Sequence, residues 1–165
     1  MKIVFVQTGG TIDKDYPRTK KGYAFEIAEP AVERILEKVS PNFDFEIIPI
    51  LKKDSLEIAE EDRKKICEAC QKADSDKIVI THGTDTIIET ARRLSDIKTK
   101  VVVLTGAVRP EKFSDSDASF NVGTAVGAIN VLKNGVYIAM NGRIYPWHDV
   151  RRNPETGQFI ERLRQ

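Results

Sequence analysis

The sequence predicts one α/β domain: a three-layer, open, mostly parallel sheet with helices on both faces, of the Rossmann-like or flavodoxin-like kind. The first observation behind this prediction is that apolar runs of strand length alternate with segments of helical periodicity. The second is the length of 165 residues, which suits a single domain with one good core. The third is that several apolar runs end in glycine and hydroxyl residues, as ligand-binding loops of such sheets do.

Five strands and four helices follow from the pattern. The strands are expected at residues 2–7, 43–51, 77–81, 100–105 and 135–140, and the helices at residues 29–39, 60–73, 87–94 and 120–132. Residues 13–24 are polar, without periodicity, and are expected to form a long lid or binding loop. Residues 141–165 are also polar and are expected to have little core of their own within the single domain 1–165.

Composition and charge exclude several classes of function. Lys and Arg number 26 and Asp and Glu number 25, so the formal charge of +1 gives no reason to expect a nucleic-acid partner or an anionic membrane surface. No apolar run approaches the roughly 18 residues that a membrane-spanning helix needs. We interpret the N-terminal MKIVFVQTGG as a core strand rather than a signal peptide, and therefore expect a cytoplasmic protein.

The two cysteines, Cys67 and Cys70, have the spacing C-x-x-C inside a predicted helix. A thioredoxin-type pair lies at a helix N-terminus directly after a strand, whereas this pair lies in mid-helix. A zinc site would need two more ligands, and His82 and His148 are distant in sequence. We expect two reduced thiols near a buried helix face, and neither a metal nor an organic cofactor.

The first candidate for chemistry is the turn TGGTI at residues 8–12, directly after the first strand. Gly9 and Gly10 allow a sharp turn that brings backbone N–H groups close to a ligand. A hydroxyl at Thr11 beside such donors supplies the parts of a covalent nucleophile with an oxyanion site. A strand-to-loop turn with a capping threonine explains the same residues equally well.

A second candidate is THGTDT at residues 81–86, where another strand runs into a helix. Thr84 or Asp85 would cap that helix, but three hydroxyls, a histidine and a carboxylate exceed what a cap requires. His82 invites either a general-base role or a structural one. Asp54 and Ser55 likewise follow a strand and are open to both a capping and a ligand-binding interpretation. The loops 8–12, 54–55, 81–86 and 105–109 are expected to converge on one sheet edge.

Together, the motifs TGGTI and THGTDT resemble the two signatures of bacterial-type L-asparaginases and glutaminase-asparaginases. The segment LTGA at residues 104–107, with Arg109 and Pro110, is similar to a third segment of that family. The likeness extends over nearly all 165 residues. It implies an asparaginase N-terminal domain type of fold and an amidohydrolase that converts L-asparagine, or L-glutamine, into the acid and ammonia.

The resemblance also implies a role for each matching residue. It makes Thr11 the nucleophile, Tyr23 the lid tyrosine that assists it, and Thr84 the second catalytic threonine. It assigns substrate binding to Gly10, Asp54, Ser55 (the α-carboxylate), Thr84, Asp85 (the α-amino group) and a backbone contact at Ala107. Asp85 and Arg152 are also counted with the catalytic residues. His82 is structural in the family motif, and Tyr16 does not match the lid position.

Two departures from the family pattern stand out. Arg152 occupies the place of a lysine that supports the second threonine, and an arginine cannot easily act as a base. The chain also resembles the short, single-domain branch, so a homo-oligomer is expected to close the pocket. The sequence is also compatible with two other functions: an aspartate- or asparagine-binding module without useful turnover, and an ammonia-supplying subunit of a tRNA amidotransferase. A nucleotide-binding Rossmann protein is disfavoured, because neither turn carries G-x-G-x-x-G.

Overall fold

The computed structural model describes residues 1–20 and 22–162, apart from the side chains of Thr19 and Tyr23. In chain order the strands are β1 Lys2–Gly9, β2 Lys14–Asp15, β3 Arg18–Thr19, β4 Gly22–Tyr23, β5 Glu26–Ile27, β6 Asp44–Lys53, β7 Lys77–Thr81, β8 Val101–Thr105, β9 Gly135–Met140, β10 Arg143–Pro146, β11 Val150–Arg152 and β12 Phe159–Glu161. The α-helices are α1 Ala31–Val39, α2 Glu60–Lys72, α3 Ile87–Arg93 and α4 Ala118–Ile129. Single 3-10 turns occupy Thr11–Asp13 and Ser55–Glu57.

A six-stranded sheet in the order β10-β9-β8-β7-β1-β6 forms the centre of the fold. All neighbouring strands are parallel except β9 and β10, which pair antiparallel. The chain first moves from β1 to β6 on one side, and then from β7 to β9 on the other. This is the flavodoxin-like strand order, which has its ligand crevice where the winding direction reverses beside the first strand. The predicted α/β class is confirmed, with β10 as a strand that the sequence pattern did not reveal.

Two apolar layers enclose the sheet, as its continuous apolar strands require. Along β1, Ile3 and Phe5 face the layer that contains α1 and α4, whereas Val4 and Val6 face the layer that contains α2 and α3. All four side chains are fully buried. Burial of an aliphatic or aromatic side chain of this size is worth about 1.5–3 kcal/mol, so β1 is a principal source of stability.

The four predicted helices form close to their predicted bounds. Helix α1 begins at Ala31 rather than at residue 29, because Pro30 has the extended conformation of a residue that precedes a helix. Three acidic residues open α2, where they interact favourably with the helix dipole. Cys67 and Cys70 of that helix are free and buried, as expected, and burial raises the pKa of the Cys70 thiol to about 12. Among the described helices, none is both long and apolar enough to cross a bilayer.

The segment that follows the first glycine turn is a nested hairpin, not the irregular loop that the sequence predicted. Strand β2 pairs with β5, and β3 pairs with β4, all antiparallel. Each of these strands has only two residues, too few for an alternating pattern to appear in the sequence. Lys21, at the tip, lies outside the described residues.

The C-terminal segment packs onto the main sheet. It supplies β10 as an edge strand and a small hairpin of β11 and β12. Tyr145, Val150 and Phe159 are buried in the apolar layer that also holds α2 and α3, and the Tyr145 hydroxyl donates to the Phe159 carbonyl at 2.8 Å. Residues 163–165 lie outside the described part of the chain. The hairpin brings Arg152 towards the carboxyl edge of the sheet.

Candidate active site

The site lies where the winding of the sheet reverses, at the carboxyl ends of β1 and β7. These two strands are parallel neighbours, with Gln7 opposite Thr81. Beyond that pair, the Thr8 hydroxyl donates to the Thr81 carbonyl at 2.9 Å, and this bond is buried. The two motifs singled out in the sequence, residues 8–12 and 81–86, are therefore joined at their bases.

Glycine contacts bring the loops together more closely than side chains would allow. Gly10 has a φ of +84° and lies against the backbone of Gly83, so that a Cβ at Gly10 would overlap the Gly83 N and Cα atoms. On its other side, Gly83 lies against Ser55, and a Cβ there would come within 2.6 Å of the Ser55 Cβ. Three of the predicted loops therefore touch one another.

The fourth loop joins through Gly106, which follows β8. A Cβ at Gly106 would overlap the carbonyl oxygen of His82 and would lie 3.7 Å from Cγ2 of Thr84. The His82 N–H also donates to the Thr105 carbonyl at 2.9 Å. The expected convergence of the four loops on one sheet edge is confirmed.

Thr11 is half-buried and opens the 3-10 turn that follows Gly10. The turn is held by backbone bonds: the Gly10 N–H donates to the Lys53 carbonyl at 2.9 Å, and the Asp13 N–H donates to the Gly10 carbonyl at 3.2 Å. The conformation of the turn therefore depends on the backbone rather than on the Thr11 hydroxyl. Among the described residues, the Thr11 hydroxyl has no part in these bonds.

Asp54 and Ser55 combine the two interpretations that the sequence left open. Asp54 caps a 3-10 turn, since its carboxylate accepts from the Leu56 N–H at 3.3 Å. The same carboxylate accepts from Nζ of Lys14 at 2.9 Å, and this bond is the main cause of its lowered pKa. Ser55 is buried against Gly83, and its carbonyl accepts from the Thr86 hydroxyl at 2.7 Å.

Asp85 and Arg152 form an ion pair across the opening of the site. Nη1 of Arg152 donates to Oδ1 of Asp85, and Nε of Arg152 donates to the Gly157 carbonyl at 3.0 Å. The Asp85 side chain is 45% exposed and the Arg152 side chain 35%, so solvent weakens the pair as a source of stability. Through this pair, the hairpin of β11 and β12 presents a cation to the carboxylate at the entrance of α3.

His82 has a structural role. Its side chain is fully buried, and both ring nitrogens are occupied: Nδ1 lies 2.8 Å from the Gly83 carbonyl and Nε2 lies 2.9 Å from the Thr90 hydroxyl. A carbonyl can only accept, so Nδ1 carries the proton and Nε2 accepts from Thr90. Burial lowers the pKa of His82 to about 4, which keeps the ring neutral.

This burial predicts a pH dependence of stability. Because the unfolded state binds a proton on His82 near pH 6.5 and the folded state only near pH 4, the free energy of unfolding falls as the pH drops through that window. The full contribution is on the order of 3 kcal/mol. Urea unfolding of the wild type and of His82→Gln at several pH values between these two gives the free energy of unfolding as a function of pH. The His82 contribution is the difference between the slopes of the two proteins. Equal slopes in the two proteins would contradict the assignment.

The structure describes only part of Tyr23 and all of Ala107, the two other predicted site residues; Tyr16 was not predicted to belong to the site. The backbone of Tyr23 pairs with Arg18 in the hairpin, but its side chain lies outside the described part of the chain. Ala107 is buried directly after Gly106. Tyr16 is 51% exposed and stacks on Phe25 with ring centroids 4.7 Å apart, which gives it a packing partner away from the glycine turn.

Several polar residues that position the site were missed in the sequence. Glu111 is buried and accepts from Nε of Arg34 at 2.7 Å and from Nζ of Lys38 at 2.6 Å. Its backbone N–H donates to the Ile12 carbonyl, which ties it to the 3-10 turn that begins at Thr11. The buried amide of Asn121 bridges the Gly106 carbonyl and the Asn141 N–H at 3.0 Å each. These partners are too far apart in sequence for any local pattern to signal them.

The family model described as asparaginase, N-terminal, matches residues 2–157. The chain belongs to the asparaginase N-terminal domain family. This asparaginase domain is 28% identical over 164 residues to a glutaminase-asparaginase of Pseudomonas fluorescens biotype A, and 33% identical over 150 residues to an L-asparaginase of Thermococcus kodakarensis. The alignments include 91% and 87% of this chain, respectively, but 45% of each relative.

Solved structures agree with this assignment. The thermostable L-asparaginase from Thermococcus kodakarensis superposes with a TM-score of 0.84 at 31% identity, over 98% of this asparaginase domain and 51% of that chain. The domain therefore spans about half the length of these relatives. Among its described residues, no group of three or more His, Cys, Asp or Glu side chains is placed to hold a metal ion.

Proposed function

We propose that the protein is an L-asparaginase-like amidohydrolase that uses Thr11 as its nucleophile. The observation that carries the proposal is the contact of Gly10 with Gly83 at the strand reversal, since it brings the Thr11 turn against the loop of Thr84 and Asp85. Membership of the asparaginase family supports an amide of asparagine or glutamine as the substrate. The chemistry needs a hydroxyl, a proton relay and fixed donors in one place, and the proposed sources at this edge of the sheet are Thr11, Thr84 with Tyr23, and the backbone of the glycine turn.

In the proposed reaction, the Thr11 oxygen attacks the side-chain carbonyl of asparagine, and its proton passes through a relay to the leaving nitrogen. Thr84 and Tyr23 are the proposed members of that relay. Breaking of the C–N bond releases ammonia and leaves an aspartyl ester on Thr11. Water then adds to the ester carbonyl, releasing aspartate and returning the proton to Thr11. The proposed donors to the oxyanion of both steps are backbone N–H groups of this turn other than those of Gly10 and Asp13, which donate to the Lys53 and Gly10 carbonyls.

Substrate binding needs one anion for the ammonium group and donors for the α-carboxylate. Asp85 is the proposed partner of the ammonium group, because Arg152 engages only its Oδ1 oxygen in a hydrogen bond. Ser55 is the proposed partner of the carboxylate, with Ala107 near the leaving amide. Gly10 contributes by shaping the turn, since its own N–H already donates to the Lys53 carbonyl. We assign Asp54 a supporting role, as the cap that positions Ser55 and anchors Lys14.

Replacement of Arg152 tests how the ion pair contributes. Arg152→Ala leaves Asp85 without its fixed cation, and kcat/KM for asparagine is expected to fall about tenfold, as suits a half-exposed pair. Arg152→Lys keeps the charge and is expected to stay within about threefold of the wild type, since orientation rather than proton transfer is the proposed role. Steady-state ammonia release measures both.

The matched control for this pair is Arg143→Ala. Arg143 forms another exposed ion pair: its Nη2 lies 2.5 Å from Oε1 of Glu161, which belongs to the hairpin of β11 and β12. Arg143→Ala should leave kcat/KM for asparagine unchanged. A loss in Arg152→Lys as large as that in Arg152→Ala would mean that the guanidinium itself takes part in the chemistry.

The proposal as a whole is tested by ammonia release from L-asparagine, with L-glutamine and D-asparagine in parallel. Release from L-asparagine supports the enzyme. Thermal stabilisation by L-aspartate without any release would instead support an amino-acid-binding module, which Arg152 in the place of the family lysine keeps as the second candidate. We also propose that a homo-oligomer closes the pocket. Sedimentation of a monomer that is nevertheless fully active would contradict that part.

A further inference from the structure

A buried polar pair lies directly beside the Thr11 turn. Gln7 belongs to β1, and Asp13 is the last residue of the 3-10 turn that begins at Thr11. Both side chains are completely buried. Neither residue has a place in the proposed chemistry. A buried carboxyl two residues from the proposed nucleophile therefore needs its own explanation.

The pair clamps the point at which the hairpin returns to the body of the protein. The Asp13 carbonyl accepts from the Ala28 N–H at 2.8 Å, and the Gln7 side-chain amide donates to the Ala28 carbonyl at 3.1 Å. Oδ1 of Asp13 accepts from the N–H of Ala31, the first residue of α1, at 2.8 Å. The hairpin formed by β2 to β5 begins directly after Asp13 and ends directly before Ala28. Asp13 and Gln7 therefore hold its base.

The remaining oxygen atoms of the pair indicate a missing proton. Oε1 of Gln7 and Oδ2 of Asp13 are buried without a hydrogen-bond partner among the described residues. An ionised Asp13 leaves Oδ2 as a buried acceptor without a donor, whereas the protonated acid replaces that acceptor by an O–H group that can donate. Exchanging the N and O atoms of the Gln7 amide does not solve the problem, because an oxygen would then face the Ala28 carbonyl.

The electrostatic surroundings favour the same protonation state. Burial raises the pKa of Asp13 to about 7, despite the Ala31 N–H bond, the Gln7 contact and the positive charges of Arg34 on α1 and Lys52 on β6. Both cations are also engaged elsewhere: Arg34 with Glu111 at 2.7 Å, and Lys52 with Glu29 at 2.5 Å. An ionised Asp13 therefore gains little by staying buried, and it reaches water only if the base of the hairpin opens.

We propose that Asp13 is a protonation-dependent positioning residue, which as a neutral acid holds the hairpin of β2 to β5 beside Thr11 and on ionisation loosens it at Ala28 and Ala31. The catalytic consequence rests on the proposed function, because the hairpin carries Tyr23. The clamp itself does not depend on turnover. The pH therefore regulates how firmly the hairpin is held at the candidate site.

The test is site-resolved amide hydrogen exchange by NMR on the whole protein, with Asp13→Asn as the comparison. Asparagine has the shape of the protonated acid: one oxygen for the Ala31 N–H, and a neutral NH₂ group in the place of the protonated Oδ2. From about pH 5.5 to about pH 8, exchange at Ala28 and Ala31 in the wild type, divided by the value in Asp13→Asn at the same pH, is expected to rise about tenfold or more. The Ala73 amide, which donates to Ala69 at the end of α2, is the reference and is expected to stay level.

Two outcomes of the exchange experiment would overturn the proposal. One is that the exchange rates of Ala28 and Ala31 in the wild type, divided by those in Asp13→Asn, are the same at both pH values. The other is an equal rise at Ala73, since Asp13 would then act on the whole fold rather than on the hairpin. If Asp13→Asn does not fold, the Asp13 carboxyl carbon of the wild type is titrated by NMR: a midpoint near 7 supports the proposal, and a midpoint near the ordinary value of about 4 overturns it.

A kinetic readout separates positioning from stability alone. KM for asparagine is expected to rise from neutral to alkaline pH in the wild type and to stay flat in Asp13→Asn. A rise of equal size in both proteins would overturn the positioning role. If the protein releases no ammonia, the proposed function fails, but the exchange and titration measurements still decide the clamp.

Discussion

Replacing Thr11 with alanine is expected to lower the rate of ammonia release from asparagine by at least about a thousandfold, because the nucleophile is removed and water cannot replace it in the same geometry. The fold should be unchanged, since the turn is held by backbone bonds from Gly10 and Asp13 rather than by the hydroxyl. Binding of L-aspartate, measured as thermal stabilisation, should therefore survive. Steady-state kinetics and a melting curve on the same preparation test both parts.

The matched control removes a threonine hydroxyl elsewhere. The Thr124 hydroxyl donates only within its own helix, to the Phe120 carbonyl at 2.8 Å, away from the four loops. Thr124→Ala should keep full activity. If Thr11→Ala also kept most of the activity, another residue would have to be the nucleophile.

Replacing Gly10 with alanine is expected to be the most damaging single methyl addition at the site. The φ of Gly10 is +84° and its ψ is −176°, a region that is essentially restricted to glycine. The new Cβ would in addition overlap the backbone of Gly83, which cannot move aside without displacing Ser55. The expected loss is more than about 3 kcal/mol in the free energy of unfolding, together with loss of activity. Urea unfolding at constant pH measures the loss in the free energy of unfolding.

Gly22→Ala separates strain from overlap. Gly22 also has a positive φ, of +108°, but a Cβ there would meet no atom of the described residues within 4 Å. Gly22→Ala should therefore lose only the backbone strain, about 1 kcal/mol, in its free energy of unfolding. If both variants lost the same amount, the close approach of the two loops would not contribute, and the argument that glycine packing assembles the site would be wrong.

The sheet was predictable because its information is local. The runs that became β1, β7 and β8 are apolar on both faces, which is typical of strands covered by helices on two sides. The glycines at residues 10 and 83 follow such runs directly, and parallel strands end at the same edge. Composition and spacing therefore predicted a polar site at that edge, and the family resemblance added which residue does what.

The short elements were not predictable for the opposite reason. The hairpin after the Thr11 turn consists of strands of two residues, and β10 has exposed residues on a sheet edge. Such strands depend on partners for their hydrogen bonds rather than on an alternating pattern. The bounds of the loop were predicted correctly in outline, but its conformation required the tertiary structure.

The sequence also failed to predict which polar residues are buried. Asp13 and Glu111 are charged side chains in polar stretches, where the usual expectation is exposure. Their burial depends on Ala31 and Gln7 in one case and on Arg34 and Lys38 in the other. Lys38 and Glu111 are 73 residues apart in the chain. No local pattern reports such a contact, although these are the residues that hold the candidate site in place.

The covalent role of Thr11 is tested most directly by hydrolysing L-asparagine in the presence of hydroxylamine. An aspartyl ester on Thr11 partitions between water and hydroxylamine, so the account predicts β-aspartyl hydroxamate alongside aspartate, with neither product formed by Thr11→Ala. Increasing hydroxylamine should shift the product ratio towards hydroxamate. Ammonia release without any hydroxamate, or hydroxamate formation by Thr11→Ala, would contradict the ester and with it the central claim.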